Sequence, residues 1–249
     1  MITALRWIGF IFAVLLVWQA LCALFEIPRY ILPTPLQVVE FAISNYTVLL
    51  NDFGYTGIES FIGFIISIAV SLCAAAFVHF VPRSERFFAV TTVGAQSIPI
   101  LAVAPFLTSW VGSGIGSKIA ASAIVCVFPL IGGWVAGKHS ITPNEWIFAE
   151  SVLPTSWIRF RYFILPRSLP AFIATLKVGC PLSVLGALVG EFVGARLGLG
   201  FRILTGSYYL RTEEMMCGVI LACILSSAFY AIVVILERTW LFWHGQRAV

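Results

Sequence analysis

Six long apolar stretches dominate the sequence: Trp7 to Phe25, Phe61 to Phe80, Phe87 to Val111, Ile119 to Gly137, Ala171 to Val189 and Met215 to Leu236. Lys177, in the fifth, is the single formal charge that they contain. Each stretch is close to the ~20 residues that a helix rising ~1.5 Å per residue needs to cross ~30 Å of hydrocarbon. In lipid every backbone polar group has to be satisfied within the protein, which leaves helices or a closed barrel. Barrel strands would show ~10-residue segments of alternating polarity, whereas these runs are apolar on every face. The expectation is an all-α, polytopic membrane protein with six transmembrane helices, forming a single domain over residues 1–249. A charged fraction of 10%, against roughly 25% in soluble domains, agrees. Arg6 before the first run imitates a secretion signal, but the run is long for one and no A-x-A site follows, so a retained helix is expected.

Lys and Arg accumulate on the cytoplasmic side of membrane proteins, so the loops can be sorted by their basic residues. Arg6, Arg83, Arg86, Lys138, Arg159, Arg161, Arg167, Arg238 and Arg247 fall on one side; Arg29, Lys118, Arg196, Arg202 and Arg211 fall on the other, mixed with carboxylates. Both termini are therefore predicted cytoplasmic. The net charge of +4 is spread over short loops and forms no run that would mark a nucleic-acid partner. The six cysteines all sit inside apolar stretches, without the close pairs of zinc or redox motifs, and read as buried packing residues. His79, His139 and His244 are scattered, with no carboxylate or cysteine spaced for a metal or a triad. No catalytic residue and no metal site is expected.

The largest predicted cytoplasmic segment, residues 138–170, is longer than the ~2–8 residues that usually join helices in a bundle, and such length is often functional. Pro143 suits the first turn of a helix, and Pro154 should end that helix near Leu153. A second amphipathic helix, with basic and aromatic residues, should follow. Composition alone allows a membrane-surface helix, with Arg159 and Arg161 near lipid phosphates, as well as a docking site.

Within the membrane, Pro99 and Pro105 interrupt the third stretch, Pro129 the fourth and Pro181 the fifth, each removing a backbone hydrogen bond. A single proline is commonly a simple kink. Two in one helix beside Gln96, Ser97 and Ser109 point to pathway lining, and Ser183 and Glu191 join them as candidates. Glu191 either gates the pathway or is an ordinary helix-end carboxylate. Lys177 should face protein or water, or snorkel to the interface. Gly186, Gly190, Gly194 and Gly198 recur every four residues, a spacing that lets helices approach closely. The near absence of buried carboxylates argues against proton or sodium coupling.

Phe148-Ala149-Glu150-Ser151-Val152-Leu153-Pro154-Thr155-Ser156, followed by Arg159-Phe160-Arg161 and Ile164-Leu165-Pro166, resembles the EAA loop of ABC importer permeases. Phe148 stands where that family usually has Glu, Glu150 replaces its second Ala, Pro154 replaces Gly, and one residue is missing before Leu165-Pro166. Because Pro fixes φ near ~-65° while Gly permits positive φ, the turn should be of another type. Ile31-Leu32-Pro33-Thr34-Pro35, Ser97-Ile98-Pro99, Ala104-Pro105-Phe106, Trp110-Val111-Gly112, Phe128-Pro129, Glu191-Phe192-Val193-Gly194-Ala195 and Gly198-Leu199-Gly200 are similar, in order, to the sulfonate, taurine and nitrate permease group. Gly112-Ser113-Gly114-Ile115-Gly116-Ser117-Lys118 lacks the Gly-Lys-Ser/Thr ending of a P-loop and reads as an interhelical turn.

The resemblance implies a type I ABC importer permease in the bacterial inner membrane, with a first helix and periplasmic segment over 1–56 and a core permease module over 57–245. It implies no cofactor in this chain, with ATP and Mg bound by a separate ATPase subunit present in two copies. The ATPase contact falls on Phe148, Ala149, Glu150, Pro154, Thr155, Ser156, Trp157, Arg159 and Arg161. A second permease copy in a homodimer and a periplasmic substrate-binding protein are the other implied partners. The implied cargo is a small anionic organic or inorganic solute, sulfonate-, taurine- or nitrate-like, moved by alternating access. An ion-coupled secondary transporter is the alternative, with the broken helices as its pathway signature.

Overall fold

The computed structural model describes residues 2–240, so Arg247 and His244 lie outside the described residues. Eleven helices follow one another: α1 (Ile2–Leu24), α2 (Pro35–Ser44), α3 (Tyr46–Phe80), α4 (Ser84–Gln96), α5 (Ile100–Val111), α6 (Ile115–His139), α7 (Pro143–Val152), α8 (Ser156–Arg159), α9 (Leu165–Phe192), α10 (Leu199–Tyr208) and α11 (Thr212–Trp240). One π-helical turn, Phe160–Ile164, joins α8 to α9, so Ser156–Phe192 runs as one continuous span. With α3, α6 and α11, that makes four helices long and apolar enough to cross a bilayer. The pair α4 and α5, bent by 97°, can supply a fifth crossing. The remaining expected crossing falls on α1, where the apolar helix Phe12–Leu24 is shorter.

Three differences from the expected spans have physical causes. The second begins not at Phe61 but at Tyr46, because Asp52 and Glu59 are carried inside the bundle instead of outside it. The third is two helices: Pro99 caps α5 in an extended conformation, ψ 116°, and its missing N–H ends the ladder from α4. Pro105, Pro129 and Pro181 are accommodated within α5, α6 and α9. The fifth begins ahead of Ala171, since the π-turn carries the helix through the expected break.

α6 and α9 form the most extensive helix pair, with α3 packed on both. Their backbones approach closely: a Cβ on Gly186 would stand 2.6 Å from Ser122 Cα, and one on Gly137 2.7 Å from Ser168 Cα. Small residues admit this contact in lipid, where dispersion supplies much of the attraction. Around it lie Phe64, Cys126, Ile173, Cys180 and Val233. Trp134 and Phe172 stack at 4.1 Å beside them. Cys22, Cys126, Cys180 and Cys217 are buried as expected, but Cys73 and Cys223 are exposed, because they sit on the outward faces of α3 and α11. Lys177 is paired with Glu237 of α11 at 2.6 Å, which gives the expected intramembrane charge a counter-ion.

Candidate functional site

The segment between α6 and α9 is built from local signals. Thr142 caps α7 with a reciprocal box: its hydroxyl accepts from the Glu145 N–H, and the Glu145 carboxylate accepts from the Thr142 N–H at 2.9 Å. Pro143 occupies the first turn and α7 ends at Val152 ahead of Pro154. The hydrogen bonds from the Thr142 N–H and hydroxyl, then the neighbouring Arg167, hold the Glu145 carboxyl below its ordinary value. Arg167 of α9 bonds Glu145 at 2.7 Å, and Arg159 of α8 lies 3.5 Å from Glu150 of α7. Trp146 Nε1 also donates to Glu150 at 3.1 Å. At the adjoining helix ends, Lys138 and His139 of α6 both contact Glu85 of α4.

Of the residues singled out in this segment, Ala149 is buried; Phe148, Glu150, Pro154, Thr155, Trp157 and Arg161 are exposed; Ser156 and Arg159 are intermediate. Thr155 caps α8 by accepting from the Ile158 N–H. The Arg161 guanidinium lies over the Tyr162 ring. Ile147, Phe148, Val152 and Trp157 form an exposed apolar face of 58–66% relative exposure on an otherwise tied-down segment. One partner of this segment was missed in the sequence. His79, at the end of α3, places Nε2 2.9 Å from Ser156 Oγ and 3.0 Å from the Ser156 carbonyl oxygen.

A cavity of about 480 Å³ opens at the α4–α5 break, against α6 and α9. Gln96, Ile98, Pro99, Phe128, Pro129 and Leu182 line it, among others, and none of its lining residues is charged. Gln96 and Pro99, of the residues singled out for a pathway, thus lie on one cavity. Ser97 and Ser109 are exposed and bond back to the carbonyls of Val93 and Pro105. Pro105, also exposed, does not line the cavity. Ser183 is buried and donates to the Cys180 carbonyl.

Glu191 belongs to a different arrangement, a buried polar lattice at the end of the bundle away from α7. Its carboxylate accepts from Thr56 Oγ1 at 2.6 Å and from the Gly200 N–H. Asp52 accepts from the Gly198 N–H at 2.9 Å and pairs with Arg202, which also reaches Glu214 at 3.0 Å. Thr56 accepts from the Leu199 N–H at 2.8 Å. The N-terminus of α10 is thereby held by oxygen acceptors from α3 and α9, which satisfies N–H groups that a helix start leaves unpaired. Gly198, at φ +107°, makes the turn, and a Cβ there would meet the Glu191 carboxylate at 2.3 Å. Lys118 is buried nearby and donates to the Ser113 carbonyl at 2.6 Å, and Gly112 turns the chain with φ +93°.

The expected near absence of buried carboxylates is therefore wrong: Asp52, Glu59 and Glu191 are all buried. Glu214 is buried as well, and two of these four carboxylates, Asp52 and Glu59, are inside because α3 begins before the apolar run. Among the described residues, no group of three or more metal-ligating side chains could hold an ion.

Residues 63–240 match the family of binding-protein-dependent transport system inner membrane components. The chain is 28% identical over 87% of its length, and 88% of the relative's, to a probable ABC transporter permease protein of Haemophilus influenzae. It is 29% identical to the formylaminopyrimidine transport permease protein of Halalkalibacterium halodurans, over 77% of each chain. It is 25% identical to a putative aliphatic sulfonates transport permease protein of Bacillus subtilis, over 94% of this chain and 85% of the relative. The all-helical bundle, its apolar spans and this match together make the chain a member of the binding-protein-dependent transport system inner membrane components, the multi-pass permeases of bacterial ABC importers.

Proposed function

We propose that this permease moves a small solute through the inner membrane by alternating access, driven by an ATPase subunit docked on the 138–170 loop. The observation that carries the reading is the exposed apolar face of Ile147, Phe148, Val152 and Trp157 on α7 and α8. It is presented on a segment fixed by Arg167–Glu145 and Arg159–Glu150, the preorganisation that makes a contact cheap to form. Exposed apolar patches rimmed by charge mark protein contacts. Phe148, Ala149, Glu150, Pro154, Thr155, Ser156, Trp157, Arg159 and Arg161 are the proposed docking residues, and ATP and Mg belong to the docked partner. Two permease copies, two ATPases, a periplasmic binding protein and six crossings with both termini cytoplasmic complete the proposal.

Gln96, Ser97, Pro99, Pro105, Ser109, Ser183 and Glu191 remain the proposed pathway group. In it Gln96 and Pro99 line the cavity, Ser97, Pro105 and Ser109 face outward where a second copy would stand, and Ser183 and Glu191 are buried on α9 away from the cavity lining. The cargo we propose is a small solute with an anionic group and an apolar body, the latter meeting Phe128, Pro129 and Leu182.

The buried carboxylates give the ion-coupled alternative one observation in its favour. Asp52 and Glu191 are nonetheless committed to α10, and neither lines the cavity. Co-purification with candidate ATPase subunits tests the reading, comparing wild type with Arg159→Glu/Arg161→Glu and following with ATP hydrolysis in liposomes. Recruitment by wild type and at least about tenfold less by the variant, with insertion unchanged, is expected for a charge-reversed interface. Transport that needs no ATPase and collapses with an ionophore would instead establish the ion-coupled carrier.

A further inference from the structure

α6 and α9 are joined covalently to the docking loop. α3 is not, and it reaches the loop through side chains. His79, 8% exposed, holds Ser156 through both the hydroxyl and the carbonyl. Its ring stacks on Phe160 at 5.4 Å and 25°. The adjacent Phe80 stacks on Trp157 at 6.1 Å and 13°. The grip falls on the first residue of α8, immediately after the Thr155 cap, and Phe160 anchors the same site by being buried.

At its other end α3 grips again. Asp52 and Thr56 accept from Gly198 and Leu199, and Thr56 also donates to Glu191. The 28 residues from Asp52 to His79 lie in one unbroken helix, about 40 Å of stiff rod at a rise of ~1.5 Å per residue. A rod fastened at both ends carries a displacement applied at one of them, and packed contacts of this kind switch between discrete arrangements instead of deforming smoothly.

We propose that His79 is a positioning residue that clasps the docking loop to α3 and makes α3 the rod by which ATPase movement reaches the α10 lattice on the opposite side. The proposal rests on the docking reading above. ATP can bias the two conformations only through contacts that differ between them, and the clasp is such a contact. The imidazole carries no chemistry here; it supplies one short polar link with its ring locked between aromatic neighbours.

The experiment uses the full chain in liposomes with the ATPase that co-purifies with it. An environment-sensitive thiol label is placed on the exposed Cys73 of α3 in a Cys223→Ser background, and MgATP with vanadate is the probe. Wild type should show a nucleotide-dependent change in the label. His79→Ala should keep the ATPase and its hydrolysis within about twofold while the change at Cys73 falls at least about fivefold, the mark of a lost differential contact. His79→Gln, whose amide reaches Ser156 in place of Nε2, should restore it, and Ser156→Ala should fall between.

An undiminished change in His79→Ala overturns the proposal. So does loss of ATPase from His79→Ala and His79→Gln alike, which would make His79 only a folding residue of the loop. A wild type that recruits an ATPase yet shows no change at Cys73 sinks the rod alone. A wild type that recruits none sinks the docking reading with it.

Discussion

The two ends of α3 are fastened by different chemistry. Away from the docking loop, Asp52 and Thr56 lie among buried charges and backbone N–H groups. At the loop, His79 and Phe80 meet Ser156, Trp157 and Phe160 through one polar link and stacked rings. A buried charged lattice loses much when one member goes, because the rest are left unpaired out of water. Aromatic contacts lose little when they slide. The lattice end is thus built to hold its geometry and the loop end to be moved, a division that suits a helix driven from one side.

Removing a lattice charge should break that contrast most strongly. Asp52→Ala leaves the buried Gly198 N–H without its acceptor and Arg202 with Glu214 alone, and a loss of about 3–5 kcal/mol is expected for a broken buried pair. Thermal unfolding in detergent, followed by size-exclusion chromatography, reads it; a melting temperature equal to wild type would show that the lattice is not under this constraint. Gly198→Ala should come next, at about 2 kcal/mol or more by the same assay, since alanine pays for the left-handed backbone and pushes on Glu191.

Phe80→Leu at the loop end should cost only about 0.5–1.5 kcal/mol beyond lost area, the worth of an aromatic pair. If it proves as damaging as Asp52→Ala, the contrast between the ends disappears.

The smallest effect is a pH dependence in the α7 cap. Glu145 has a depressed pKa in the folded protein, so its contribution is fully present above the ordinary carboxylate value of about 4.3 and is lost as pH falls through the lower, folded value. Hydrogen exchange of the α7 amides, corrected for intrinsic rates, should rise on acidification through that window and not between pH 6 and 8. Exchange that is flat through the acid window would show that the cap adds nothing.

Local chemistry made the loop legible. Pro143 and Pro154 mark where α7 starts and stops through first-turn preference and lost donors, and those effects need no tertiary partner. The apolar runs likewise located most of the helical mass. What the runs hid was the first part of α3. Asp52, Thr56, Ser60, Gly63, Ser67 and Ser71 recur every three or four residues and all are buried, a polar and small-residue stripe at helical spacing that an apolar-run search passes over. The α4–α5 break was visible as prolines but not as a 97° bend, because a proline removes a hydrogen bond without dictating direction. The partner of His79 is 77 residues away, and no local pattern carries such a pairing. The departure of Pro154 from the familiar glycine is absorbed by extended backbone at Leu153 and Thr155.

The bend between α4 and α5 also bears on how the protein is made. With 13 and 12 residues, the two halves reach only about 20 and 18 Å, short of the ~30 Å of hydrocarbon. Neither half alone qualifies as a crossing, and the backbone opened between them needs protein or a water-filled cavity around it. The pair packs on α6, and α5 also on α9, both of which emerge later from the ribosome. The seating of this stretch therefore depends on α6 and α9, which follow it in the chain.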